Sequence, residues 1–233
     1  MPDVFVITGT RKGLGRAMAE HYLARGARVA GCSRGPAAIE HPNYFHAELD
    51  VADEAAVVSF VREANKRFGP IEVLINNAGI AAMNPLLLTP LETARSIFST
   101  NVLGTFLFMR EVGKLMQRQR FGRIVNLTTV AAPLDLPGEA LYASSKAAVE
   151  QLTRTGAREL AEFGITVNAV GPTPIETDLI RTIPKEKIDA LVARQAIRRL
   201  ATVEDLLPII DAFIAPGASF LTGQVVYLGG VRG

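Results

Sequence analysis

An apolar, mostly β-branched run, Val4-Phe-Val-Ile7, passes directly into Thr8-Gly-Thr-Arg-Lys-Gly-Leu-Gly15 and then into an amphipathic stretch from Arg16 to Arg25. Read locally, this is strand, glycine turn and helix, and few folds accept that order. Gly9, Gly13 and Gly15 let the backbone turn tightly and come close to a ligand. The helix beyond them directs unpaired N–H groups and a positive dipole end at the same place, which suits a pyrophosphate. A glycine triplet alone is a weak signal; between a strand and a helix it predicts a dinucleotide site.

A second strand, Arg28-Val-Ala-Gly-Cys-Ser33, follows Gly26. In dinucleotide folds a carboxylate about 20 residues past the glycines binds the adenosine ribose hydroxyls and selects NAD. Ser33 holds that place here, Arg34 follows it, and Lys12 lies inside the glycine loop. A carboxylate would repel a 2′-phosphate, whereas a hydroxyl and two cations would hold one. The expected cofactor is therefore NADP(H); the competing reading makes Lys12 and Arg34 ordinary surface charges.

Strand-like and helix-like segments alternate to the end of the chain. Strands are expected at 43–48, 72–75, 123–127, 166–170 and 224–228. Helices are expected at about 54–68, 91–119, 142–163 and 203–214, with an irregular or partly helical segment at 172–202. Apolar strands alternating with helices predict a parallel sheet covered on both faces, with ligands beyond the carboxyl ends of its strands. The 233 residues, 48% of them hydrophobic, suffice for one α/β domain with a full core. The fold class read from the sequence is thus a single Rossmann-like, doubly wound domain over 1–233. Its sheet is mostly parallel and seven-stranded, with helices on both faces and a substrate loop region at about 172–202.

A net charge of +2, with dispersed basic residues, argues against a nucleic-acid partner. The single cysteine, Cys32, cannot form an internal disulfide, and no leader or membrane-spanning run is evident, so a soluble cytoplasmic protein is expected. His21, His41 and His46 lack metal-ligand spacing, so no catalytic metal is expected.

Tyr142 and Lys146 lie four residues apart in a predicted helix, which puts a phenol and an ammonium on one face. A phenol ordinarily ionises near pH ~10, and a neighbouring cation favours the phenolate. Bringing it to near-neutral pH takes roughly 3–4 kcal/mol, and one cation about 4 Å away supplies about 4 kcal/mol at an effective dielectric near 20. Such a phenol is a proton donor suited to reducing a carbonyl. Taken alone, the pair reads more simply as a packed tyrosine beside a solvated lysine.

Together these segments resemble the short-chain dehydrogenases/reductases of the single-domain, NADP(H)-dependent ketoreductase type, including 3-oxoacyl-[acyl-carrier-protein] reductases, over nearly the whole chain. Thr8-Gly9 through Gly15 is similar to the family's TGxxxGxG, and Asn76-Asn-Ala-Gly79 to its NNAG. Asp50, in Leu-Asp-Val51, matches the adenine-contacting residue; Asn101, in Asn-Val-Leu-Gly104, matches the catalytic asparagine; Tyr142 and Lys146 match YxxxK. Thr177, in Pro174-Ile-Glu-Thr177, resembles the threonine on the nicotinamide side, and Arg199 to Asp205 the family's approach to its last helix. The resemblance implies cofactor contacts from Gly9, Arg11, Lys12, Gly13, Leu14 and Gly15, from Ser33 and Arg34, and from Asp50 and Val51. It implies further contacts from Asn77, Ala78 and Gly79, from Tyr142 and Lys146, and from Pro172, Thr173, Ile175 and Thr177.

Two positions depart from the family pattern. Thr129 stands where the family has a catalytic serine, and Thr173 where it often has glycine. Threonine offers the same hydroxyl on a stiffer side chain, so Thr129 either replaces the serine or only caps and packs. Thr173 either adds a polar wall to the pocket or restricts its loop.

The resemblance further implies hydride transfer between nicotinamide and a carbonyl carbon. Thr129 and Tyr142 would hold the substrate oxygen, Tyr142 would deliver the proton, Lys146 would bind the nicotinamide ribose, and Asn101 would hold a water linking Lys146 to solvent. Without the family pattern Asn101 reads as a helix-interior amide bonding backbone. Met83, Leu134, Asp135, Leu136, Leu179 and Ile180 are expected around the substrate, although each could instead serve loop packing. The leading reading is NADPH-dependent reduction of a ketone, a β-ketoacyl thioester or a small biosynthetic ketone. The alternatives are an NADP-dependent alcohol dehydrogenase working towards oxidation and a non-catalytic NADP(H)-binding protein. The family habit also implies a homodimer or homotetramer built through the Ala147–Leu152 helix face and the 224–228 strand.

Overall fold

The computed structural model describes residues 2–175 and 185–231. Among them, seven strands form one all-parallel sheet in the order β3-β2-β1-β4-β5-β6-β7. The strands are β1 (Val4–Thr8), β2 (Arg28–Ser33), β3 (Tyr44–Glu48), β4 (Val73–Asn76), β5 (Gly122–Leu127), β6 (Ile165–Gly171) and β7 (Val225–Tyr227). The helices are α1 (Gly13–Ala24), α2 (Glu54–Phe68), α3 (Leu91–Phe98), α4 (Gly104–Gln119), α5 (Ala131–Leu134), α6 (Ala140–Leu160), α7 (Lys185–Ala193) and α8 (Val203–Ile214).

The side-chain period of a strand explains how this sheet buries both faces. Along β1, Val4 and Val6 point into a core shared with Phe60 of α2 and Phe108 and Val112 of α4. Phe5 and Ile7 point the other way, into a second core with Met18 and Tyr22 of α1 and Ile210 and Phe213 of α8. Phe5 and Tyr22 stack with ring centroids 4.4 Å apart. Cys32 is buried within the first core, as a small apolar residue would be.

The chain runs outward through β1, β2 and β3 and then returns to place β4 on the other side of β1. That reversal opens a crevice beyond the carboxyl ends of β1 and β4, where ligands of open α/β sheets bind. In register, Ile7 lies opposite Ile75, so the glycine loop after β1 and Asn77-Ala-Gly79 after β4 emerge side by side.

Two segments carry detail that the sequence expectation lacks. The helical region expected at 91–119 contains a π-helical turn, Ser99–Leu103, between α3 and α4. The Asn101 side chain is turned to the backbone of Ile80, and the Thr105 hydroxyl donates to the Asn101 carbonyl at 2.8 Å. Tertiary bonds of this kind are not visible to a periodicity argument; π-turns of this sort recur at functional sites. Within 172–202, α7 is regular, and Ile175 forms an isolated parallel bridge with Ala201. Before α8, Thr202 and Asp205 form a capping box, and Arg199 pairs with both Asp205 oxygens at 2.6 and 2.7 Å.

Candidate active site

The glycine loop is held by its neighbours more than by its own turn. The Thr8 hydroxyl accepts from the backbone N–H groups of Asn77 and Ala78 at 3.0 and 2.9 Å, and the Asn77 amide donates to the Thr8 carbonyl at 2.8 Å. Gly9 has φ +76°, and a Cβ there would stand 2.8 Å from the Asn77 amide nitrogen. At Gly15 a Cβ would stand 2.2 Å from the Gly9 carbonyl oxygen, so the first turn of α1 closes against the loop only without a side chain. Gly15 is buried in this packing, while Gly9, Arg11, Lys12, Gly13 and Leu14 line a cleft of about 590 Å³.

At one end of this cleft lie Ser33 and Arg34, with Asp50 and Val51 on the adjoining wall. The Asp50 carboxylate accepts from the Ala52 N–H at 2.9 Å. No carboxylate occupies the place of Ser33, and Arg11, Lys12 and Arg34 share the same cleft. Three cations, one hydroxyl and a glycine cradle that any Cβ would obstruct fit a dinucleotide bearing an extra phosphate. Asn77, Ala78, Gly79 and Pro172 continue the wall towards the other end.

That other end holds Tyr142, Lys146 and Met83. Lys146 is buried, and its ammonium donates to the Leu127 carbonyl at the end of β5, at 2.7 Å. Burial pulls it from an ordinary 10.5 to about 8. Tyr142 moves the opposite way. Burial pushes its phenol up to about 12, hydrogen bonding with Thr129 lowers it, and the Glu139 carboxylate raises it further. Lys146, expected to go most of the way towards acidifying Tyr142, is not among the chain's own groups that act on the phenol. The spacing argument counted attraction between charges and neglected the cost of desolvating them, and here that cost is larger.

Thr129 follows β5 and is 9% exposed; its hydroxyl accepts from the Ala131 N–H at 3.2 Å and acts to lower the Tyr142 phenol. The neighbouring Thr128 donates to the buried Glu150 carboxylate at 2.7 Å instead. Asn101 is fully buried behind the cleft wall. Its amide oxygen accepts from the Ile80 N–H at 2.9 Å, and its nitrogen donates to the Ile80 carbonyl at 2.9 Å and to Ser145 at 3.0 Å. A Cβ on Gly79 would lie 3.3 Å from both the Asn101 amide oxygen and the Lys146 nitrogen, so both groups approach the backbone of this one glycine.

Several expected residues stand elsewhere. Thr173 is buried with its hydroxyl unpaired, and its methyl lies where a side chain on Gly229 would go, so it packs its loop and forms no wall of the cleft. Ile175 is buried at its bridge with Ala201. Leu134 and Leu136 pack on Val130, Leu191 and Val231, so they belong to a small core rather than to the cleft lining. Asp135 takes a left-handed backbone conformation, φ 50°, after α5 and does not line the cleft. Thr177, Leu179 and Ile180 lie outside the described residues. Sequence reasoning missed Glu139, whose carboxyl lines the cleft beside Tyr142 and is raised by burial and lowered by Lys187. Its position three residues before Tyr142 was the available signal. It also missed Gly35, Ile80 and Thr100, for which no residue-type signal exists.

Comparison with known proteins agrees with this geometry. Residues 9–230 match a family model described as enoyl-(acyl carrier protein) reductase. The chain is 32% identical over 235 residues to the 3-oxoacyl-[acyl-carrier-protein] reductase FabG of Escherichia coli (strain K12), covering 97% of this chain and 96% of that one. It is similar to the solved structure of ElxO with NADP bound, with a TM-score of 0.90, 30% identity and coverage of 99% and 98%. It is also similar to levodione reductase, with a TM-score of 0.90, 27% identity and coverage of 98% and 96%. A glycine-cradled crevice at the β1/β4 reversal, a cation-lined end with a hydroxyl rather than a carboxylate at the place of Ser33, and a match across nearly the whole length lead to one assignment. The chain belongs to the short-chain dehydrogenase/reductase family and is an NADP(H)-dependent short-chain oxidoreductase.

Proposed function

We propose that the protein reduces a ketone to an alcohol with NADPH, with Tyr142 as the proton donor and the Thr129 and Tyr142 hydroxyls holding the substrate oxygen. The observation that carries this is the placement of Tyr142 at the end of the cleft that also holds Lys146, in surroundings that favour the protonated phenol. A phenol pushed up to about 12 keeps its proton throughout the neutral range, as a general acid must. Bound NADPH supplies the hydride. The alkoxide that develops on the substrate is far more basic than the phenol, so the proton passes from Tyr142 to it. Thr129 steadies the developing negative charge by donating its hydroxyl hydrogen.

Lys146 binds the nicotinamide ribose and carries the positive charge nearest the polar end of the cleft. Asn101 is its indirect support. With both ends of its amide engaged by Ile80 and Ser145, it fixes the wall through which Lys146 is reached. Ser33, Arg34, Arg11 and Lys12 hold the 2′-phosphate. Met83 and Glu139 border the substrate, the first apolar and the second a half-buried carboxyl.

The substrate class is a β-ketoacyl thioester or a small biosynthetic ketone; likeness to FabG proteins supports the first. We also propose a homodimer or homotetramer. The apolar Leu91, Leu103 and Phe106 are exposed on α3, the π-turn and α4, and β7 is an edge strand. Val149, expected in such an interface, is buried within the protomer, whereas Ala147 remains exposed on α6. Sedimentation velocity tests this, and a monomer at micromolar concentration refutes it. No helix among the described residues is long and apolar enough to cross a membrane.

The deciding experiment follows NADPH absorbance with purified protein against 3-oxoacyl thioesters, small ketones and enoyl thioesters. Turnover on a ketone that Y142F abolishes supports the proposal. Turnover on enoyl thioesters alone, or tight NADPH binding without turnover on any of them, overturns it.

A further inference from the structure

A chain of hydrogen bonds runs from the glycine loop to Ser33 through residues that the reaction does not use. The Thr10 hydroxyl lies 2.7 Å from the Tyr44 hydroxyl, and the Tyr44 hydroxyl lies 2.9 Å from Nδ1 of His46. On the other side of the ring, Nε2 of His46 lies 3.0 Å from the Gly35 carbonyl oxygen and 3.1 Å from the Ser33 hydroxyl. Ser33 itself donates to that same Gly35 carbonyl at 2.8 Å. Gly31 leaves room for this chain: a Cβ there would stand 2.3 Å from both the Thr10 and the Tyr44 hydroxyl oxygens.

The directions of these bonds follow from chemistry. A carbonyl oxygen 3.0 Å from Nε2 calls for a hydrogen on that nitrogen, because two lone pairs at that separation repel. In a neutral imidazole Nδ1 is then an acceptor, so Tyr44 donates to it and Thr10 donates to Tyr44. Thr10 and Tyr44 thereby set the tautomer that presents Nε2–H to the Gly35 turn.

This arrangement resolves a difficulty in the assignment of Ser33 to the 2′-phosphate, on which the inference rests. A phosphate oxygen accepts hydrogen bonds, yet the Ser33 hydrogen is already committed to the Gly35 carbonyl. If Ser33 turned away with nothing in its place, a half-buried carbonyl would lose a donor. His46 is positioned to take over. We infer that His46 is a positioning residue for NADP(H) selection: its Nε2–H satisfies the Gly35 carbonyl and so releases the Ser33 hydroxyl to donate to the 2′-phosphate. Arg11 lies over the same turn, since a Cβ on Gly35 would stand 2.8 Å from its guanidinium nitrogen, so the freed hydroxyl and a cation converge there.

The test is isothermal titration calorimetry of the full chain with 2′,5′-ADP and with ADP, and with NADPH and NADH. H46N keeps a partner for Tyr44 but withdraws the donor from Gly35. H46Q places an amide N–H near the position of Nε2. The expected result is that H46N weakens 2′,5′-ADP and NADPH about ten-fold, as loss of one hydrogen bond to a charged group does, with ADP and NADH unchanged. H46Q restores most of the loss, and S33A reproduces it without adding to it in the double variant. If H46N weakens ADP and NADH equally, His46 is merely structural and the inference fails. If S33A costs 2′-phosphate affinity while H46N costs none, the donor exchange fails but the assignment of Ser33 stands. If S33A leaves 2′,5′-ADP affinity unchanged, the assignment itself is wrong and the inference falls with it.

Discussion

The Lys146 ammonium donates to the Leu127 carbonyl across 2.7 Å, which ties the middle of α6 to the carboxyl end of β5. The bond holds a buried cation at the polar end of the cleft, and burial brings that cation to about 8. Folding therefore expels a proton that the unfolded chain retains up to its ordinary 10.5. Between about 8 and 10.5 the unfolded state binds more protons, so stability rises with pH in that window. K146M removes this slope and abolishes reduction. Urea unfolding of both proteins across the window checks it; parallel pH dependences would contradict the burial argument.

The protonated phenol of Tyr142 gives the two reaction directions opposite pH dependences. Reduction needs the proton and holds its rate until Lys146 loses its charge above about 8. Alcohol oxidation needs the phenolate and climbs towards about 12. Because the Glu139 carboxylate raises Tyr142, E139Q moves the alkaline limb of the oxidation profile to lower pH. Initial rates with NADP⁺ across an alkaline pH series measure this; a limb that moves up would refute it.

Thr129 is expected to act as the family serine does. T129S keeps activity near that of the parent, while T129V removes the hydroxyl at nearly constant volume and costs about 10²–10³ in kcat. Loss of its hydrogen bond also moves Tyr142 further up, so the oxidation limb of T129V shifts to higher pH. Steady-state kinetics of the two variants decide the point. Equal activity of T129V and parent would reduce Thr129 to a packing residue.

Gly79 sits where Asn101 and Lys146 both approach the cleft. Its backbone is of the ordinary kind, so G79A meets no conformational penalty and acts only through the new methyl, 3.3 Å from each polar atom. Displacing Lys146 by a few tenths of an ångström is expected to lower kcat about ten-fold, with thermal unfolding shifted by no more than a few degrees. Kinetics alongside thermal denaturation check this pairing. A large loss of stability at unchanged kcat would show that the contact is structural.

Much of the fold was legible because its determinants are local. The unbroken apolar run Val4–Ile7 reports a strand buried on both sides, and glycines between it and α1 leave little choice of turn. The identity of Ser33 and its neighbours bears on the cofactor without any coordinates, since the argument concerns only charge. Other features depend on what folding brings near. The π-turn at Ser99–Leu103 exists because Asn101 reaches Ile80, and nothing in the periodicity of 91–119 encodes that contact. Leu134 and Leu136 look like pocket residues in the chain and become core residues once Leu191 and Val231 arrive.

The chain by itself determined the order of strands and helices, the glycine cradle and the hydroxyl, phenol and ammonium of the polar end. Tertiary structure alone decided their protonation. Spacing along a helix measures how close two charges come, but solvent removal from each group depends on every element packed around it. That is why Tyr142 rises and Lys146 falls where proximity alone argues for an acidified phenol.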